Sequence, residues 1–155
     1  MWEVCLPRLK PSAALVGLLF AIALIPTARS EEPKLSISGY DPVAYFIDGK
    51  PVQGKTDFEY LWHKLRWRFS SGEHRELFVK DPDRYAPQYD GYCAMGLAME
   101  KGHKATADPE AWVIVDGKLY VMHSLAGREN WLQNVTENIK RDNENWPSVK
   151  QQPEP

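Results

Sequence analysis

Apolar residues recur at every second position in two adjacent runs of this chain: Phe58, Tyr60 and Trp62, then Leu65, Trp67 and Phe69. Period two predicts two half-buried strands with a turn at His63-Lys64. A second hairpin is predicted where Trp112-Val113-Ile114-Val115 and Leu119-Tyr120-Val121-Met122 flank Asp116-Gly117, a strong two-residue turn signal. The β-branched run Val113–Val115 predicts burial on both faces of its strand. Between and around the hairpins the signals turn helical. Asp41-Pro42 offers an N-cap and a proline at the first helical position, so a single helical turn is expected through Phe46. Ser70-Ser71-Gly72-Glu73 has the spacing of a capping box, opening a helix with Leu77 and Phe78 inward and a stop before Asp81-Pro82.

Tyr92 to Lys101 reads as a small apolar helix closed by Gly102. Ser124 caps a last helix from Leu125 to about Asn143, with Trp131, Leu132, Val135 and Ile139 at helical spacing and Asn145-Trp146-Pro147 as its end. Neither a repeat nor a low-complexity tract is visible. The expected class is α+β: two antiparallel hairpins forming one small sheet, packed with short helices and a longer C-terminal helix.

The N-terminus changes the picture of where the protein works. Arg8 and Lys10 precede an apolar stretch from Pro11 to Ile25, and Thr27-Ala28-Arg29-Ser30 supplies a small-residue cleavage pattern before Glu31. That order predicts a signal peptide over 1–30, with the apolar run too short for a membrane span of about twenty residues. An uncleaved signal segment would be the one membrane attachment. The expectation is an exported protein, periplasmic or extracellular, with a single domain over 31–150 and a disordered tail over 151–155. Removing residues 1–30 takes away Arg8, Lys10, Arg29 and Glu3, and the net charge goes from −2 to −4. No basic field is left to attract nucleic acid. Cleavage also removes Cys5, so Cys93 becomes the only cysteine. An unpaired thiol in an oxidising compartment is inert packing, a reactive group or a soft-metal ligand. It suits a monomer and leaves a disulfide-linked dimer open.

Several motifs together resemble the YHS domain family. They are Tyr60–Ser71 with its hairpin, Phe78, and Asp81-Pro82-Asp83-Arg84-Tyr85. The opening Gly39-Tyr40-Asp41-Pro42-Val43-Ala44-Tyr45-Phe46 and the later Tyr89-Asp90-Gly91-Tyr92-Cys93-Ala94 resemble its exported, stand-alone branch. The likeness covers roughly Ser38 to Pro147. Related metal-handling modules of this kind, including TRASH-like domains, are associated with transition metals, copper among them. Those modules use cysteines where this chain has Ala44, Ser70 and His74, so only His74 of the three could ligate.

The candidate ligands are Cys93, His74 and His103, with Met95, Met99 and His123 as weaker members. Thiolate, thioether and imidazole together suit Cu(I). One helix holding both Cys93 and Met95 would point them about 200° apart, so they converge only if the helix begins after Cys93 or the ligands come from elsewhere. Three readings stand. The first is an exported domain that binds a transition metal, copper above all, through Cys93 with histidine help, for sequestration or delivery. The second is a small-molecule or protein-binding module with an aromatic pocket of Tyr40, Tyr45, Trp67 and Tyr92 and a structural Cys93. The third is a thiol-dependent redox enzyme using Cys93 with His74 or His103 as base. No phosphate loop, dinucleotide fingerprint or nucleophile elbow is present.

Overall fold

The computed structural model describes Met1 and residues 32–155, so the segment read as a signal peptide lies outside the described residues. From Glu32 onward the chain is one unit. It enters through a two-residue strand, β1 (Lys34–Leu35), and a left-handed turn at Ser36–Gly39. A helical turn, α1 (Ala44–Ile47), leads into β2 (Lys55–Trp62) and β3 (Leu65–Phe69), joined by His63-Lys64. Then come α2 (Gly72–Lys80), α3 (Pro82–Tyr85), a second left-handed turn at Gln88–Gly91, and α4 (Ala94–Leu97). The chain ends with β4 (Asp108–Val115), β5 (Lys118–Met122), α5 (Leu125–Leu132) and α6 (Val135–Val149).

The class is α+β, and both hairpins form where the alternation puts them. They do not join into one sheet. One sheet has the order β1-β3-β2, with β1 parallel to β3, and the other is β4-β5 alone. Each hairpin instead packs on its own helix. Trp67 and Phe69 of β3 meet Phe78 of α2, while Tyr120 and Met122 of β5 share a cluster with Trp131 of α5. All of these rings except Tyr120 are fully buried. The β-branched run also departs from expectation. β4 is half-buried along Trp112–Val115, and β5 is the buried strand.

The order of elements repeats, although residue identity hides it. In each half a left-handed turn leads to a four-residue helical turn. An eight-residue strand, a two-residue turn, a five-residue strand and a serine-capped helix follow. The two ladders have the same register at an offset of 53 residues: Lys55↔Phe69 matches Asp108↔Met122, and Trp62↔Leu65 matches Val115↔Lys118. Both are interrupted at the same place, between Lys55 and Glu59 and between Asp108 and Trp112. Both hairpin turns have positive φ at both central residues, the primed geometry that matches strand twist. The left-handed turns agree too. Ile37 and Ser38 correspond to Tyr89 and Asp90 at positive φ, and Gly39 and Gly91 follow, both at φ 82°. Glycine is required at the latter, because a Cβ on Gly91 would stand 2.9 Å from Ile37 Cγ2.

Local boundaries shift for physical reasons. Ser71 caps α2, accepting from His74 N–H at 3.2 Å, because Asp41 has taken Ser70. The helix expected over Tyr92–Lys101 shrinks to Ala94–Leu97, because Cys93 N–H bonds Ala105 O and His103 N–H bonds Gly96 O. The last helix breaks at Gln133-Asn134 and resumes as α6, which carries Pro147 in its final turn. The tail, read as disordered, is seated here. Lys104 Nζ donates to Gln152 O at 2.8 Å, and Glu154 meets Lys34, Lys104 and Tyr92. Burial alone would raise Glu154, but these donors prevail and bring it down to about 2.

Candidate functional site

Cys93 is the N-cap of α4, not part of its first turn. The helix therefore begins after it, which is the condition for Cys93 and Met95 to face one space. The sulfur accepts from Gly96 N–H at 3.4 Å and from His123 N–H, across the hairpin, at 3.1 Å. The residue is 3 % exposed. Burial pushes the thiol up from its ordinary value. The backbone N–H groups of Gly96, His123 and Met95 oppose this, and Asp142 adds to it. That direction is opposite to the one an activated nucleophile needs.

Five of the six predicted ligands come together. Cys93, Met95, Met99, His103 and His123 line one open pocket of about 330 Å³, with Gly96, Ala105, Ser124 and Gly127 completing its wall. His103 lies against the floor, with its Nε2 only 3.4 Å from where a Cβ on Gly96 would stand. His123 Nδ1 is 2.9 Å from Thr106 O. A carbonyl only accepts, so Nδ1 carries a proton, and in the neutral form of the ring Nε2 is the nitrogen with the lone pair. Met99 is half exposed at 51 %. Among the described residues, no three His, Cys, Asp or Glu side chains are close enough to hold an ion together. An ion here would need the thioethers.

His74 is elsewhere. It belongs to the equivalent position in the first half, where Asp41 stands in place of Cys93. Asp41 Oδ1 accepts from Val43 N–H at 2.9 Å and Ala44 N–H at 3.4 Å. Its Oδ2 accepts from Ser70 N–H at 2.8 Å and Ser70 Oγ at 2.6 Å, and lies 2.7 Å from His74 Nδ1. Val43, Ala44 and Ser70 correspond to Met95, Gly96 and His123. Asp41 is fully buried and His74 is 9 % exposed. The pair is a structural node about one acceptor, and His74 is not among the residues that line the Cys93 pocket.

The four aromatics proposed as a pocket do not line one. Tyr40 and Tyr45 pack with Trp112, and Tyr45 donates to Pro109 O. Trp67 is sealed in the first core beside Phe78. Tyr92 sits under the Lys34 and Lys104 ammonium groups. On β3, Arg68 Nε lies 2.6 Å from Glu59 Oε1, and Arg66 lies 3.8 Å from Glu32.

One functional group escaped the sequence reading. Asp142 of α6 is fully buried below Trp131, whose Nε1 donates to Oδ2 at 3.1 Å. Its Oδ1 meets no donor. Burial, only partly offset by the Trp131 bond, pushes its carboxyl up to about 7. The spacing carried a signal: Asp142 falls on the same helical stripe as Val135, Ile139, Trp146 and Val149, which pack into the second core, so a carboxylate stands where that pattern calls for an apolar side chain. No protein-family model, no curated protein and no solved structure matches the chain.

Proposed function

We propose that this chain is an exported domain that binds a soft transition-metal ion, copper(I) above all, at the Cys93 pocket, for sequestration or delivery. One observation carries the proposal: a thiol, two thioethers and two imidazoles from separate parts of the sequence line the same small pocket. This donor set favours Cu(I) over hard cations such as Mg²⁺ or Ca²⁺, which want oxygen ligands. Cys93 would bind as thiolate, His103 or His123 would supply neutral nitrogen, and Met95 or Met99 would close the shell. The Thr106 carbonyl already fixes the His123 tautomer that leaves Nε2 free. Since the thiol is shifted up, binding must release its proton, and affinity rises with pH across the neutral range.

The test is Cu(I) competition against a chromophoric chelator under reducing conditions, with the full chain and Cys93→Ser side by side. The expected result is one equivalent bound by the wild type and at least about tenfold weaker binding by the variant, since the loss of the thiolate removes the one charged donor. Stoichiometry near zero in both proteins refutes the proposal. A second reading, a non-metal small ligand in the same pocket with Cys93 structural, draws on the burial and upward shift of the thiol. A blank copper titration would favour it.

A further inference from the structure

Among the positions at which the two halves differ is one that borders the Cys93 pocket, Gly127. In the first half, Ser71 caps α2 through His74 N–H at 3.2 Å. The ring of His74 turns back, placing Nδ1 2.7 Å from Asp41 Oδ2 and 3.2 Å from Ser70 Oγ. In the second half, Ser124 caps α5 through Gly127 N–H at 3.1 Å. Gly127 therefore stands where His74 stands, just as Cys93 stands where Asp41 stands. Nothing projects from Gly127. A Cβ there would meet only Ser124 Oγ at 3.3 Å and Met95 Cβ at 4.0 Å. The volume that an imidazole fills in the first half is thus open in the second, and it forms part of the pocket beside Cys93.

The thiol also lacks a partner. Its sulfur accepts two backbone N–H groups, while its own proton finds no acceptor among the described residues. In the first half the His74 ring fills the corresponding place and donates its N–H to Asp41 Oδ2 at 2.7 Å; beside a thiol, which has a proton to give, a ring in that place takes the opposite role and accepts.

We infer that Gly127 makes this site, and that the space it vacates beside Cys93 Sγ is a subsite for an imidazole ring. Such a ring reaches it as a free heterocycle or as a histidine side chain offered by a partner. Its unprotonated nitrogen accepts the Cys93 S–H, and the ring plane fills the gap between Met95 and Ser124. The inference rests on the Cys93 pocket being the functional site but needs no metal.

The experiment is a titration of imidazole, without copper, into the isotopically labelled full chain, reading the amide resonances of Gly96, His123 and Gly127. Saturable shifts are expected at all three in the wild type. They should vanish in Gly127→His, which supplies the ring from within, and weaken severalfold in Gly127→Ala. In His74→Gly, which opens the matching hole beside Asp41, imidazole should raise the melting temperature. Absence of saturable shifts in the wild type overturns the inference. So does unchanged affinity in Gly127→His or, if that variant does not fold, in Gly127→Ala. The outcomes separate from those of the metal reading. Imidazole binding without Cu(I) binding removes the metal and leaves the subsite, whereas Cu(I) binding without imidazole shifts removes the subsite alone.

Discussion

In the first half-domain the residue after Gly39-Tyr40 is a carboxylate surrounded by five donor groups, and in the second the residue after Gly91-Tyr92 is a thiol that accepts two hydrogen bonds. The backbone around them is nearly the same. Asp41 ties together α1, the end of β3 and the first turn of α2, and His74 closes over it. Cys93 ties α4 to the end of β5, but Gly127 leaves the top open. One scaffold thus carries a saturated node and an unsaturated one. The saturated node holds the chain together, and the unsaturated node leaves room for a ligand. The Cys93 pocket exists because of what α5 does not place over it.

Asp41→Ala gives the sharpest break of this comparison. It strips the acceptor from buried donors at His74, Ser70 and two backbone N–H groups, and should cost roughly 3–5 kcal/mol in urea unfolding. A loss no larger than that of Cys93→Ser would mean that the two nodes are not different in kind.

The second test compares the two buried acids, because Asp142 has one donor where Asp41 has five. Asp142 moves from an ordinary 3.8 to about 7 on folding, so the folded state holds a proton that the unfolded state releases. Stability is therefore greatest below pH 4 as far as this group is concerned. It falls as pH rises toward 7, by up to on the order of 4 kcal/mol, and levels off above. Asp142→Asn should flatten that decline in unfolding experiments between pH 4 and 8. An unchanged slope would show that the carboxyl does not stay protonated in the fold.

Cys93→Ser comes third, with a stability loss of about 1 kcal/mol, since a serine oxygen at an N-cap can take the same backbone donors. A cost above about 3 kcal/mol, the range of buried-pair disruption, would mark the sulfur as a structural element. The smallest effect concerns the hairpin turns. The second uses Asp116-Gly117, while the first forces His63 and Lys64 to φ 52° and 64°. Lys64→Gly should relieve left-handed strain faster than it adds chain entropy, for a gain of about 0.5 kcal/mol. Destabilisation would mean that Trp62 stacking on His63 already offsets the strain.

What was legible locally came true locally. Alternation at Phe58–Phe69 and Trp112–Met122 fixed both hairpins, because side chains of a strand take opposite faces regardless of what covers them. Asp116-Gly117 marked its turn, and His63-Lys64 was found only from the break in alternation. The capping signal before α2 was present but one residue off, because Ser70 answers to Asp41, 29 positions earlier. The soft ligand types were visible too, and five of the six meet in one pocket. Nothing local distinguished His74 from the others, since its partner lies 33 positions away. The duplication was invisible for a related reason. A repeat of backbone conformation needs only glycines, caps and alternation in common, and leaves almost every side chain free to differ.

By itself, then, the sequence determined the element types, the two hairpins, the α+β class and the inventory of soft donors. Each of these depends on interactions within a few residues. Only the tertiary structure decided that the hairpins form separate sheets and that Asp41 and Cys93 are counterparts. It also decided that Asp142 is buried with one oxygen unmet and that Gly127 leaves open what His74 closes. Those facts depend on which distant backbone donors meet a side chain and how much water is expelled around it, and neither is written in neighbouring residues.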